Sequence, residues 1–259
     1  MNKFSSIIAV TFTALLFTAC EKDEQTIIVP PPSDGSTLTL NGLAGAEAGA
    51  SAGNSVFVDF SKDIQTSVER TGWDLGLYAG SDFKVILNYT TGGSVVKINK
   101  TDINAVTAVD FDPNALLVGG ASGDFTLYDD PTKANLLQST AIAEISATEA
   151  DNKVYILNRA ANSVSPVSDL YKVRILRNGT SGYTVQYAKV NETTFKTVAV
   201  QKDAAFNFQF VSLANNSATT VEPAKADWDI IWGFSIYYTP FGALNVPYTF
   251  SDLVFINNI

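Results

Sequence analysis

The chain has no histidine, one cysteine and a single methionine at position 1. Without imidazole or a second thiol it lacks the usual ligands of zinc and copper, and most nucleophile-and-base pairs of covalent catalysis are closed to it. A lone thiol cannot serve an internal disulfide. Positive charge is also scarce. The 17 Lys and Arg stand against 26 Asp and Glu, a net charge of −9, and a field of that sign repels polyphosphate backbones and anionic lipid surfaces. Nucleic acid is therefore not an expected partner. The apolar stretch Ile7 to Phe17 falls short of the roughly 18–20 residues that a membrane-crossing helix needs, and no later stretch approaches it. There is no phosphate-cradling Walker loop. The expectation is a binding protein and not an enzyme.

What is present begins with the cysteine. Residues 1–19, MNKFSSIIAVTFTALLFTA, place Lys3 ahead of an apolar core and end in small residues, the pattern of a secretory signal peptide. The run Leu16-Phe17-Thr18-Ala19-Cys20 looks like a bacterial lipoprotein cleavage box, which makes Cys20 the expected lipidation site and the mature N-terminus. Each buried acyl CH₂ contributes roughly 0.8 kcal/mol, so several chains hold a protein firmly on a membrane. Glu21-Lys22-Asp23-Glu24 resembles a tag that sends lipoproteins to the outer face of the outer membrane; the alternative is a solvated linker. Residues 20–36, with three consecutive prolines, read as an extended tether. Residues 37–259 are the expected folded domain.

From Ser55 onward the pattern is β. SVFVDF, FKVILNY, SVVKI, KVYILN, YKVRIL, YTVQYAKV, TFKTVAV, FNFQFV and LVFIN are short, rich in β-branched and aromatic residues, and separated by turn residues. The glycine-spaced segment before them, LNGLAGAEAGASAGN, reads as a loop. YKVRILRNGTSGYTVQY is the clearest hairpin, because Asn178, Gly179 and Gly182 tolerate positive φ. One or two short turns are the only helix expected, within Ala134 to Ala150. The fold class is mainly β, an antiparallel β-sandwich or barrel-like domain with little helix. Trp-Asp occurs twice ahead of apolar strands, at Trp73-Asp74 and Trp228-Asp229. The rings suit the space between sheets, and the carboxylates can accept backbone N–H bonds at a strand entry.

The phrases VFVDFSKDIQTSVERTGWDLGLY, FKVILNYTTGGSV, LYKVRILRNGTSGYTVQYAKV and YTFSDLVFIN together resemble the HmuY family of bacterial haem-binding lipoproteins. The resemblance touches residues 55–98, 168–190 and 227–258. It implies an HmuY-like β domain that takes haem from a host carrier and passes it to an outer-membrane haem receptor, anchored by lipid and exposed on the cell surface. Members hold the iron between two histidines or methionines, neither of which the domain contains. The corresponding regions fall around Asn158 to Pro166 and within Gly123 to Gln138. Ferric iron also accepts phenolate, provided that the metal or a neighbouring cation brings a tyrosine down from its free pKa of about 10. Tyr128, Tyr155 and Tyr183 are the candidate ligands, with Arg159 or Arg174 as partner of a phenolate or propionate. Haem in an apolar slot without coordination is the other possibility.

A second reading is a β-sandwich binding or adhesion lipoprotein that recognises glycan, peptide or a receptor without haem. Its candidate surface is WGFSIYYTPFGALNVPY, rich enough in aromatics for recognition and equally readable as core. The acid pairs Asp110-Asp112, Asp129-Asp130 and Asp227-Asp229 lack EF-hand spacing.

Overall fold

The computed structural model describes residues 35–117, 125–159 and 165–258. The chain divides into Met1–Thr37 and Leu38–Ile259, and the β architecture is that of the second unit. Helical residues there are confined to 3-10 turns of three or four residues. The turns Leu136–Gln138 and Glu149–Asp151 lie where short turns were expected. Among the described residues no helix is long and apolar enough to cross a membrane.

Three antiparallel sheets carry the fold. In the first, β1 (Asn54–Asp59) and β2 (Ile64–Glu69) continue the ladder of β12 (Ile230–Phe241) and β13 (Leu244–Ile256), in the order β13-β12-β1-β2. The second is β11 (Ser217–Thr219), β10 (Phe208–Ser212), β3 (Leu75–Tyr78) and β4 (Val85–Leu87), in that order. The third runs consecutively through β5 (Ser94–Ile98), β6 (Val154–Asn158), β7 (Tyr171–Asn178), β8 (Gly182–Lys189) and β9 (Lys196–Gln201). The β7–β8 hairpin closes as its sequence demands, with Asn178 opposite Gly182 and Gly179 at φ +65°.

The second sheet is apolar on both faces, which puts it between the other two. Ile86, Phe208 and Phe210 pack with Phe57 and Ile231 of the first sheet. On the reverse face Leu75, Leu77, Val85 and Leu87 join Val173, Tyr183 and Val185 of the third. The side-chain period of two explains this division, since alternate residues of one strand serve opposite cores. The far face of the third sheet, including Val154 and Ile156, is covered by Ile103, Val106 and Leu116. Those residues belong to the long β5–β6 connection, which supplies backbone turns in place of a fourth sheet.

The stretch 232–248 is a pair of strands, with Ile236 in the core and the far end exposed. β12 pairs with β1 only from Ile230 to Trp232. Beyond a register shift between Gly233 and Ser235 it pairs with β13 alone, as far as Phe241 opposite Leu244. A two-stranded arm results.

Candidate functional site

A cavity of about 360 Å³ lies between the first and second sheets, closed on one side by residues 128–136 of the β5–β6 connection. Aromatic rings form part of its wall, among them Phe57 from β1, Phe208 and Phe210 from β10, Tyr89 after β4, Trp228 before β12 and Phe255 from β13, beside polar and charged residues. Several meet edge to face, with Phe57 and Trp228 centroids 5.0 Å apart and Tyr89 and Phe255 6.2 Å apart. That geometry favours a rigid apolar wall. The Trp228 ring N–H is buried without a hydrogen-bond partner among the described residues, an uncommon state for an indole donor.

Two carboxyls also reach this cavity, and each caps an open edge of the second sheet. Asp129 accepts the Leu87 N–H at 2.7 Å on the free side of β4, and the Ala141 N–H at 2.9 Å. Glu222 accepts the Phe208 N–H at 2.7 Å, beyond the point where β11 stops pairing with β10. Among the described residues neither has a cationic partner. Burial pushes Asp129 up to about 7, against the two N–H bonds that favour its charged form. Burial does the same to Glu222, also up to about 7. The Tyr89 hydroxyl is raised as well, by burial and then by the charge of Glu222. Among the described residues the one cation on the cavity wall is Lys133, 3.5 Å from Asp130.

Of the sequence candidates, Tyr128 alone lines this cavity; it is 2% exposed. All three tyrosines belong to the core between the second and third sheets, and Tyr128 also borders the cavity. The Tyr155 hydroxyl accepts the Ala143 N–H at 3.1 Å, and the Tyr183 hydroxyl donates to the Tyr78 carbonyl at 2.8 Å. Burial raises both phenols, which opposes formation of a phenolate. Arg159 is paired with Asp74 and donates to the Thr71 carbonyl at 3.1 Å. Arg174 donates to Asn152 and Glu149 carbonyls on the third sheet. The structure therefore gathers the three tyrosines into one buried cluster, while Arg159 and Arg174 are engaged by other partners. Residues 160–164 of the Asn158 to Pro166 region, and residues 123–124 of the other, lie outside the described residues.

Both Trp-Asp pairs take the roles their chemistry suggested. Asp74 accepts the Leu213 N–H at 2.7 Å and Asp229 the Phe60 N–H at 2.7 Å. Trp73 fills the space beside Phe210 at 4.9 Å. The pair Asp129-Asp130 is divided between different partners, since Asp130 accepts the Thr132 N–H at 2.9 Å. No group of three or more metal-ligating side chains forms among the described residues. Gly49-Ala50-Ser51-Ala52-Gly53 has nucleophile-elbow spacing, but here a 3-10 turn precedes a strand, the reverse of the strand-to-helix setting that such an elbow requires.

Sequence reasoning missed Glu222 and Tyr89 as cavity residues, and it read Trp228 only as a structural plug. Their isolated positions carry no motif. The signal available was weak: Glu222 is the one charge between Asp203 and Lys225, a segment otherwise reading as strand.

Searches of family models, curated proteins and solved structures return no match to this chain.

Proposed function

We propose that this protein is a surface-anchored binding lipoprotein whose ligand is haem, taken into the cavity between the first and second sheets. The observation that carries the reading is the aromatic cavity with an unpartnered Trp228 N–H at its wall. Aromatic walls suit a flat apolar ring, and the indole N–H and Lys133 suit the carboxylates at its edge. Tyr128, which borders the cavity, is the proposed donor to the iron. Ring burial, at roughly 25 cal/mol per Å² before the cost of immobilisation, supplies affinity even where coordination is absent. The motifs shared with the HmuY family and the lipoprotein box at Cys20 support the same assignment, and they make an outer-membrane receptor the partner. Haem bound here would supply a ferric centre able to take an oxygen donor, with Tyr128 as that donor and the aromatic residues of the cavity shielding the ring from water.

Titration with hemin tests this directly. A sharpened Soret band at micromolar protein is expected, with a phenolate-type ferric signature lost in Tyr128→Phe and retained in Tyr155→Phe. Trp228→Phe is expected to weaken binding about tenfold, the loss of one hydrogen bond to a charged group. Absorbance identical to free hemin would refute the assignment.

A further inference from the structure

Ile230 to Ser251 is the longest stretch of the chain without Asp, Glu, Lys or Arg. It is also the segment that leaves its sheet as a two-stranded arm. One side of the arm is held, with Ser235, Ile236 and Val246 buried. At the tip, Phe241, Leu244 and Tyr248 are exposed by 65%, 51% and 56%, around Gly242 at φ +63°. Tyr237 and Tyr248 stand directly opposite each other across the ladder. A two-stranded ribbon is marginal in water, and three large apolar side chains at its end stay more than half exposed, although Tyr248 meets the Phe250 ring edge-on at 5.4 Å.

We propose that this arm inserts its tip into the interface of the bilayer that carries the acyl anchor. Two features select that occupant. The arm has no cation to recognise an anionic headgroup or phosphate and no anion to be repelled by one, whereas the chain as a whole is acidic; a surface of zero charge with aromatic ends matches the headgroup–acyl boundary, where Tyr and other amphipathic rings gather. The second feature is reach. The 18 residue-to-residue steps from Cys20 to Leu38 extend to at most about 60 Å, enough to let the domain meet the same leaflet. Anchor and tip would then fix the orientation of the domain as well as its distance from the membrane. The proposal uses the lipidation reading for its second feature and is independent of haem.

The test uses the chain from residue 20 onward carrying Cys20→Ser, so that no acyl group contributes, with phosphatidylcholine vesicles as the probe. Flotation with the vesicles is expected, unchanged by added anionic lipid or by high salt. The triple variant Phe241→Ser, Leu244→Ser, Tyr248→Ser, altered only at exposed positions, is expected to partition about tenfold less or weaker still, as loss of buried apolar area dictates. Absence of flotation at millimolar lipid, flotation only with anionic lipid, or equal flotation of the triple variant would each overturn the proposal. No flotation combined with capture of a glycan or a protein by the same tip residues would assign the arm to recognition instead. Loss of the hemin signal with vesicle binding intact would remove the haem assignment alone.

Discussion

Glu222 and Asp129 are buried carboxyls whose hydrogen bonds go to backbone N–H groups and not to cations. Their native values lie near 7, above the ordinary 4.5 and 3.8. The native chain therefore keeps protons that the unfolded chain has released, and stability falls as pH rises from about 4 to about 7. Glu222→Gln keeps the acceptor for Phe208 and removes the charge. Chemical denaturation is expected to show it about 2–3 kcal/mol more stable than the parent at pH 8 and little changed at pH 4. Asp74 presents the opposite case, with Arg159 beside it and the Leu213 N–H bonded to it. Asp74→Ala leaves an N–H without its acceptor and a guanidinium without its partner, at a cost of about 3 kcal/mol in the same assay.

At the scale of elements, the second sheet depends on close approach. A Cβ on Gly76 would lie 2.7 Å from Ile86 Cγ1 and 3.2 Å from Phe210 Cε1. Gly76→Ala is accordingly expected to cost about 1–3 kcal/mol through overpacking, and to displace Phe210 from the cavity wall, read as weaker hemin binding. The arm turns on Gly233, at φ +156°, where a Cβ would lie 3.2 Å from Ser55 Cα. Nothing in the local pattern of β12 announces that departure. The strand is apolar or aromatic at most positions, and the end of the β1 ladder at Trp232 is what makes the remainder an arm.

For the whole molecule, carboxyls of opposite behaviour shape the pH response. Asp59 is held down to about 2, first by the Ser61 hydroxyl and then by Lys62; hydrogen bonding and charge at Lys100 keep Asp110 low as well. Their contribution is lost as pH falls below about 4, while that of the two buried acids declines above it. Thermal scans across pH are expected to find maximum stability near pH 4–5. Hemin affinity is expected to fall between pH 6 and pH 9, because two carboxylates then charge beside the haem propionates, and Glu222→Gln should flatten that decline. In cells, Cys20→Ala is expected to remove the anchor and leave only arm-dependent, detergent-free association with membranes, measured by fractionation.

Fold class was legible because alternating apolar residues and turn chemistry are local properties: the β7–β8 hairpin, the Trp-Asp strand entries and the scarcity of helix all follow from neighbours in the chain. The aromatic stretch from Trp232 to Tyr248 was legible in composition and not in role. The cavity belongs to the tertiary structure. It forms only when residues as far apart as Phe57, Tyr128, Glu222 and Phe255 meet across two sheets, and the packing of those sheets also decides which of the core tyrosines borders it. Side-chain period assigns a residue to a face of its strand; what that face meets is set by packing between strands that no local pattern connects.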